Sequence, residues 1–382
     1  MAAATAVHAS RGGHKTLLLS TDCAHSLVDV LGAPVGPEPT EVEPGLYAQH
    51  VSPRARLGRD WGRLAPRFAR LLDDLGIDVS AAEQLPVLPA AAEVLTLLEL
   101  RDRARAGTWD LVVVDCGPSV AALRLLGLPE SLSSYLDRSM PPGRRVARAV
   151  RHGGAGTTGQ DIVLDELRRL ADELADVAAL LHDAATGVRL VLTPERLVLA
   201  DTLRTVTHLG LLGHGVEAVV VNRLVAPGTD PTTRTRSARQ RRLLAEARAA
   251  AGDIPVLVAQ EGRDEPVGMD ALAEVGGLLH AAPDAVRHLL EPPGRPGTVR
   301  VERGGDHWFL LVGLPHARRD EVGLLRRGDD LEMSVGPAHR LLRLPSVLRR
   351  CRVVGARLRD GELRVEFAPD PALWPDLGGR QP

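Results

Sequence analysis

The chain has 382 residues, of which 44% are hydrophobic and 25% charged, values of an ordinary soluble globular protein with room for two or three domains. The formal net charge of −2 excludes a global positive field that would recruit nucleic acid or an anionic membrane. Arginine carries almost all of the positive charge, because Lys15 is the single lysine.

The cysteines and the N-terminal segment bear on the cellular compartment. Cys23, Cys116 and Cys351 are an odd number of cysteines at distant positions, which disfavours a disulfide framework and indicates a reducing environment. The opening MAAATAVHAS is apolar without a basic segment ahead of it, and no apolar run approaches the roughly 20 residues of a spanning helix. We therefore predict a cytoplasmic protein.

The segment RGGHKTLLLSTD, residues 11–22, shares glycine, lysine and threonine with a phosphate-binding loop. Such a loop needs two glycines with four residues between them, then Lys and Ser or Thr, and then a helix. Here Gly12 and Gly13 are adjacent, and Lys15 precedes a run of leucines closed by polar residues, which is typical of a buried strand. The segment is predicted to be a turn that leads into a strand.

Apolar runs that end in polar residues recur along the chain and alternate with helical patterns such as AAEVLTLLELRDRARAG and DIVLDELRRLADELADVAALLHDA. This alternation predicts an α/β fold, a mostly parallel sheet with helices on both faces. Polar residues that follow parallel strands line the ligand crevice of such a sheet. The residues expected to gather there are Asp22, Asp115, Glu195 and Asn222.

Two helix-rich segments, 56–105 and 128–186, are predicted helical elaborations of a domain that spans residues 1–290. They are broken by the loops SMPPGRR and HGGAGTTGQ. The second of these is glycine-rich, but it follows no strand and contains no lysine, so we interpret it as a flexible loop.

A linker is predicted at EPPGRPG, residues 291–297, where proline and glycine punctuate the chain. Beyond it the hydrophobic period changes to two in short runs such as HWFLLVG, LEMSVG and ELRVEF. This pattern predicts a small antiparallel β-sandwich over 298–369, followed by a tail at 370–382.

Two acidic residues at the ends of predicted strands are candidates for activating water and for binding Mg²⁺. Asp22 leaves a strand tip, where a carboxylate beside a γ-phosphate can position and help deprotonate an attacking water. Asp115 follows four apolar residues, the arrangement of a Walker B acid that orients Mg²⁺ through its water shell. Taken alone, either residue is better explained as a helix cap or part of a turn than as a catalytic or metal-binding acid.

Together these motifs resemble a known family. STDCAHSLVDVLG is similar to the switch I motif of the arsenite-pump ATPase (ArsA) family, which includes the ATPase that guides tail-anchored membrane proteins. The resemblance continues in PGLYAQHV, VVVDCGPSVAALRLLGLPESLSSYLDR, LVLTPERLVLADT, VVVNRL and EPVGMDAL. The segment from GLPHARRDEVGLL to GELRVEF resembles the small heat-shock, or α-crystallin, fold, which several family members carry at their C-terminus.

The resemblance implies ATP and Mg²⁺ as cofactors and assigns roles to single residues. Asp22 would activate water, Asp115 would hold Mg²⁺ through water, and Asn222 would read the adenine base, unless it only caps the turn after its strand. Further implied nucleotide-binding residues are Arg223, Pro118, Glu265 and Pro266, and the implied switch residues are His25, Ser26, Asp29 and Ser119.

The chain departs from the family at its beginning. The family's phosphate loop, K-G-G-V-G-K-T, lies just upstream of a helix reading V-A-A-A-x-A, and this sequence begins at that helix with MAAATAV. We expect the first strand and the phosphate loop to be missing, and hydrolysis with them. Either Met1 stands where a longer protein has an internal residue, which we favour because the switch acids survive, or the gene is truncated.

Other departures concern the cysteines and the switches. Cys23 replaces a proline, and Val120 and Ala121 replace the usual Gly-His. Cys23 and Cys116 each follow a candidate acid, so a redox or soft-metal role stays open beside that of two small buried residues. DPTTRTRSARQ occupies the region of a family C-x-x-C motif and lacks cysteine, so zinc is not expected.

Three functional hypotheses follow. The first is a cytosolic Mg²⁺-ATP-dependent switch, a homodimer by resemblance, that handles an unidentified hydrophobic or membrane-associated client and no nucleic acid. The second is a nucleotide-independent interaction protein with a chaperone-like β-sandwich. The third, an arsenite-pump subunit, is disfavoured because the three cysteines are scattered.

Overall fold

The computed structural model describes residues 1–22, 26–60, 89–139, 159–281 and 299–373. The chain forms two compact units: Met1–Asp183 with Gly262–Glu291 is the first unit, and Ala184–Glu261 with Pro292–Pro382 is the second. The predicted linker at 291–297 and most of the glycine-rich loop at 152–160 lie outside the described residues. No described helix is both long and apolar enough to cross a bilayer.

The first unit contains a four-stranded sheet with the order β2-β3-β1-β4, in which β1 pairs in parallel with β3 and β4, and β2 pairs antiparallel with β3. Its helices and strands are α1 (Ala2–Arg11), β1 (Thr16–Ser20), α2 (Ser26–Leu31), β2 (Thr40–Glu43), β3 (Leu46–His50), α3 (Pro89–Arg105), β4 (Leu111–Asp115), α4 (Ser119–Ser139), α5 (Gly159–Leu181) and α8 (Met269–Leu279).

The segment that shares residues with a phosphate loop is a turn, as predicted. Gly12 caps the end of α1, and Gly13 has a φ of 92°, a left-handed conformation that glycine adopts without steric cost. All five residues of β1 are buried, because the strand has neighbours on both sides and α1 packs against it. The leucine run is therefore the centre of this sheet.

Helix α1 packs against the sheet on one side and against α8 on another. The contact with α8 requires glycine, because a Cβ on Gly276 would lie 2.4 Å from the carbonyl oxygen of Ala4. A second hydrophobic cluster joins α3, α4 and α5 and consists of Val94, Leu97, Leu98, Leu125, Leu174 and Val177. Helices α3 and α5 lie within the predicted helix-rich segments 56–105 and 128–186, whereas α4 begins at Ser119, ahead of the second segment.

The second unit begins with a three-stranded parallel sheet of order β5-β6-β7. Its elements are β5 (Val188–Leu192), α6 (Arg196–Leu212), β6 (Val216–Leu224), α7 (Pro231–Ala251) and β7 (Val256–Gln260). Because each connection runs through a helix, the strands lie parallel, and their carboxyl ends share one edge.

A β-sandwich completes the second unit, with a three-stranded sheet β10-β11-β12 and a four-stranded sheet β13-β14-β9-β8, as predicted. Gly328, with a φ of 60°, makes the turn between β10 and β11. The elements are β8 (Val299–Gly304), β9 (His307–Gly313), a short 3₁₀ helix (Arg319–Glu321), β10 (Val322–Arg327), β11 (Asp330–Val335), β12 (Ala338–Arg343), α9 (Ser346–Arg349), β13 (Cys351–Arg359) and β14 (Glu362–Pro369).

Helix α6 shares the hydrophobic core of the sandwich. Leu211 belongs to the same buried cluster as Leu310, Met333 and Phe367. A Cβ on Gly210 would lie 2.2 Å from the carbonyl oxygen of Gly313, so a glycine lets the helix approach this closely. In addition, Arg340 Nη1 donates a 2.9 Å hydrogen bond to the carbonyl oxygen of Leu211. The sandwich is thus packed onto α6, a helix that precedes it by about ninety residues in sequence.

Candidate functional site

The two candidate acids stand at the carboxyl ends of neighbouring parallel strands. Ser20, the last residue of β1, is in register with Asp115, the last residue of β4. Thr21 continues this pairing, because its backbone N–H donates a 3.0 Å hydrogen bond to the carbonyl oxygen of Asp115 and its hydroxyl donates a 3.3 Å bond to the same oxygen. Thr21 therefore lies beside Asp115. Asp22 is the next residue, so both acids lie at the same edge of the sheet.

The surroundings of Asp115 disfavour its charged form. Burial raises the pKa of the Asp115 carboxyl above its usual value. The positive α-amino group of Met1 lowers this pKa and the negative charge of Asp22 raises it, and the net change is upward. The Asp22 backbone N–H donates to Ser20 Oγ at 3.2 Å, and the Ser26 hydroxyl donates to Asp22 Oδ2 at 3.4 Å. Asp22 is thus oriented by its neighbours, and the two carboxylates interact.

The described residues to which the resemblance assigns a switch role lie on the helices that follow these acids. Ser26 begins α2, and Asp29 is exposed on the same helix. Ser119 begins α4 just after Pro118, whose carbonyl oxygen accepts hydrogen bonds from the first turn of that helix. His25 and Cys23 lie outside the described residues, whereas Cys116 is exposed.

Glu265 and Pro266 lie in the loop that precedes α8. The Val267 backbone N–H donates to the carbonyl oxygen of Glu265 at 2.9 Å, which closes the turn. The Gly268 N–H donates to the carbonyl oxygen of Val30 at 2.8 Å. The loop with two implied nucleotide-binding residues is therefore tied to the helix that carries the switch I residues.

Asn222 and Arg223 form a β-bulge near the carboxyl end of β6 in the second unit. Val221 is paired with Val258 and Leu224 with Gln260, so two residues of β6 face one of β7. Arg223 has a φ of 57°, an unusual conformation for a side chain of this size, and its N–H donates to Asn222 Oδ1 at 2.9 Å. Bulges of this kind redirect side chains at functional edges, and strained backbone is retained where the surroundings hold it.

Gln240 holds the bulge and is not among the residues predicted from the sequence. The Val225 N–H donates to Gln240 Oε1 at 2.8 Å, and Gln240 Nε2 donates to the carbonyl oxygen of Arg223 at 3.5 Å. Its signal in the sequence is a glutamine on the buried stripe of α7, in helical spacing with Ser237 and Leu243. An amide that is buried in this way needs a backbone partner, because an unpaired polar group would destabilise the fold.

An ion-pair network around Glu99 was also missed. Glu99 is 2% exposed and contacts Arg56 at 3.0 Å, Arg59 at 2.6 Å and Arg103 at 2.8 Å, while Gln49 Nε2 donates to it at 2.8 Å. Burial alone would raise the pKa of Glu99, but the hydrogen bonds from Gln49 and Arg56 and the charges of Arg103 and Arg59 outweigh it and lower the pKa. The network holds β3 through Gln49, and β3 lies within the motif PGLYAQHV.

The described residues suit the metal and the base of a bound Mg²⁺-nucleotide complex. Among the described residues no group of three or more His, Cys, Asp and Glu side chains could hold a metal directly. Two carboxylates at one strand edge instead suit a hydrated Mg²⁺, which keeps several of its waters. Asn222 Nδ2 makes no hydrogen bond with a described residue and suits an acceptor on a base. The 382 residues contain no K-G-G-V-G-K-T segment for the phosphates.

Parallel strands with acids at their carboxyl ends define an α/β protein of the class that binds ligands at that edge. The family model described as anion-transporting ATPase matches residues 1–281, and the model described as HSP20-like domain found in ArsA matches residues 305–367. The chain belongs to the ArsA ATPase family, and its sandwich is the HSP20-like domain of that family.

Similar proteins cover nearly the whole chain. An uncharacterised protein of Streptomyces coelicolor is 41% identical over 98% of this chain and 95% of its own length. A protein of Mycobacterium tuberculosis is 35% identical over 98% and 94%. A putative arsenical pump-driving ATPase of Chlorobaculum tepidum is 27% identical over 96% and 92%. The similarity thus extends over both the part of the chain that the ATPase model matches and the part that the HSP20-like model matches.

Proposed function

We propose that the protein is a cytoplasmic switch of the ArsA type whose conformation responds to Mg²⁺-ATP and which, as a homodimer, handles a hydrophobic or membrane-associated client protein. The observation that supports this most directly is the pair of carboxylates, Asp22 and Asp115, at the ends of two paired parallel strands. Membership of the ATPase family supports the same proposal.

Each residue has a proposed task. Asp22, oriented by the hydroxyl of Ser26 and the backbone at Ser20, holds the attacking water and accepts its proton. Asp115 would hold Mg²⁺ through water, and the metal, when bound, would supply charge neutralisation at the phosphates. In the second unit, Asn222 and Arg223 would contact an adenine base from their bulge. In the first unit, Pro118, Glu265 and Pro266 are the proposed nucleotide-binding residues.

Hydrolysis is not proposed for these 382 residues by themselves. Phosphoryl transfer depends on backbone N–H groups and a lysine that cradle the phosphates, and the sequence contains no such loop. We propose that these residues supply the base contact and the two acids, and that hydrolysis requires them together with a phosphate loop. Val28 and Val120, exposed beside the switch residues, are candidate contacts for a partner subunit or a client.

A second candidate function is a nucleotide-independent scaffold that uses its sandwich to bind other proteins. The observation that favours it is the shared core of α6 and the sandwich, because a firmly packed domain presents a fixed surface. An arsenite-pump subunit is a weaker candidate, because Cys351 is buried within the sandwich core and cannot join an exposed thiolate cluster.

The test is calorimetry of ATP binding with Mg²⁺, on this chain and on a version with a grafted N-terminal strand and phosphate loop. The switch proposal expects hydrolysis by the grafted version and a loss of about 10²- to 10⁴-fold in Asp22→Asn, with ATP affinity nearly unchanged. Asn222→Ala should weaken binding in both versions. A grafted protein that folds and binds no ATP would leave the scaffold as the function.

A further inference from the structure

Helix α7 carries a concentration of positive charge that no proposed step uses. Its 21 residues include six arginines against a single acid, Glu246, in a chain whose net charge is −2. All six are exposed: Arg234, Arg236, Arg239, Arg241, Arg242 and Arg248. Arg236 approaches Glu261 at 3.2 Å, whereas the other five make no ion pair with a described residue. A field of this density on one helix is suited to a negatively charged partner.

The arrangement of these arginines is regular. Arg234, Arg241 and Arg248 are spaced by seven residues, and Arg239 and Arg242 lie on the other side of the exposed face. Between the two rows lie three alanines, Ala238, Ala245 and Ala249, which are exposed or half-buried. At about 1.5 Å per residue the row from Arg234 to Arg248 is about 21 Å long. The face is thus a shallow strip of small residues with guanidinium groups along both sides.

The residues on the exposed face of α7 suit one class of negatively charged partner better than others. A membrane surface is bound by helices that insert large apolar side chains, but Leu243 is buried and Leu244 half-buried, and the helix has no aromatic residue. Single-stranded nucleic acid is bound by aromatic stacking, which this face lacks. Arginine forks bind carboxylates in a bidentate manner, and a seven-residue repeat matches acidic residues two turns apart on a facing helix.

We propose that the arginine strip of α7 is a docking surface for an acidic helical segment of a partner protein, with carboxylates at seven-residue spacing. The alanines allow the partner's backbone to approach, and the arginines on either side fix its register. The same helix holds the bulge at Asn222 through Gln240 on its opposite, buried face. Docking therefore occurs on the element that shapes the proposed base contact.

The experiment uses the full chain and a labelled synthetic helix with glutamate at every seventh residue, in comparison with a scrambled peptide of equal composition. Fluorescence anisotropy at about 50 mM salt should show binding to the ordered peptide roughly tenfold tighter than to the scramble, weakening as salt is raised. The variant Arg234→Gln/Arg241→Gln/Arg248→Gln should lose roughly tenfold in affinity.

The matched control removes the same charge from the sandwich through Arg319→Gln/Arg352→Gln/Arg357→Gln, three exposed arginines without an ion pair to a described residue. It should bind like the unmodified chain. The reversal Arg234→Glu/Arg241→Glu/Arg248→Glu should prefer a peptide with lysine at every seventh position. Thermal unfolding of each variant establishes that it is folded.

Three results would overturn the proposal. These are equal losses in both arginine triples, equal affinity for the ordered and scrambled peptides, and tighter binding of single-stranded DNA or of vesicles with about 30 mol% phosphatidylserine. The measurement is made without nucleotide, so it is independent of the proposed ATP-dependent switch. Failure of ATP binding would leave this inference untouched, and the converse also holds.

Discussion

The sheet of the first unit and the β-sandwich of the second differ in what they bury. The sheet region encloses Glu99, Arg56 and Gln49 almost completely and raises the pKa of Asp115 at a strand end. Among the described residues of the sandwich, Arg340 is the one buried charged side chain, and its core is otherwise apolar. The difference is that the first unit buries charged side chains in an ion-pair network, whereas the core of the sandwich consists almost entirely of apolar contacts.

The largest effect is expected from the Glu99 network. Glu99→Ala removes the carboxylate that three arginines share. Arg56 keeps Asp60 and Asp102 as partners, but the buried network loses its central group, so the free energy of unfolding should fall by about 3 kcal/mol. Hydrogen exchange by mass spectrometry should localise the loss to the first unit and leave the sandwich strands protected. Glu173→Ala, which breaks a half-exposed pair with Arg101 at 3.6 Å, is the control and should cost about 0–1 kcal/mol.

The variant Glu99→Ala should also change how the free energy of unfolding depends on pH. Because the pKa of Glu99 is lowered below its ordinary value of 4.5, its stabilising contribution is complete above that pH and is lost as pH falls through the folded-state pKa. The unmodified chain should therefore lose more stability on acidification than Glu99→Ala. Parallel acid limbs in the two proteins would contradict the assignment.

Two close glycine contacts, one in each unit, should give losses of stability of intermediate size. Gly276→Ala forces a Cβ against Ala4 in the first unit, and Gly210→Ala forces one against Gly313 in the second. Each should destabilise its own region by about 1–3 kcal/mol, as hydrogen exchange in that region would report.

Gly277→Ala is the control for both glycine variants. It lies on the same helix as Gly276, a Cβ there meets nothing within 4 Å, and the change should stabilise the helix by about 0.5–1 kcal/mol. If Gly210→Ala reduced exchange protection in α6 alone, the sandwich would be less dependent on that helix than the shared core indicates.

The smallest effect concerns Asp115. Its raised pKa means that the folded state holds the proton more tightly, so stability falls as pH rises from 3.8 through the folded-state pKa. Asp115→Asn removes that cost and should raise the melting temperature at pH 7 by about 1–3 °C, with the difference closing below about pH 4. Asp29→Asn, exposed on α2, should leave the melting temperature within about 1 °C. A lower melting temperature in Asp115→Asn would show that the carboxylate stabilises the fold.

Several elements were predictable because their signals are local. The leucine run before Asp22 specified a buried strand, and the period-two patterning after the linker specified strands of the sandwich. The resemblance of short motifs identified the ATPase family and the HSP20-like domain, both of which the family comparison confirmed. The roles of the individual site residues remain predictions.

The sequence by itself determined the element types, the family and the candidate acids, because hydrophobic period, turn residues and motif spacing are properties of neighbours in the chain. Tertiary structure decided which distant residues share a contact: Gly210 with Gly313, Gln240 with the bulge at Arg223, and Glu99 with its arginines. These contacts depend on the packing of elements tens of residues apart, where a buried polar group takes whichever partner the fold brings near. No local pattern encodes that choice.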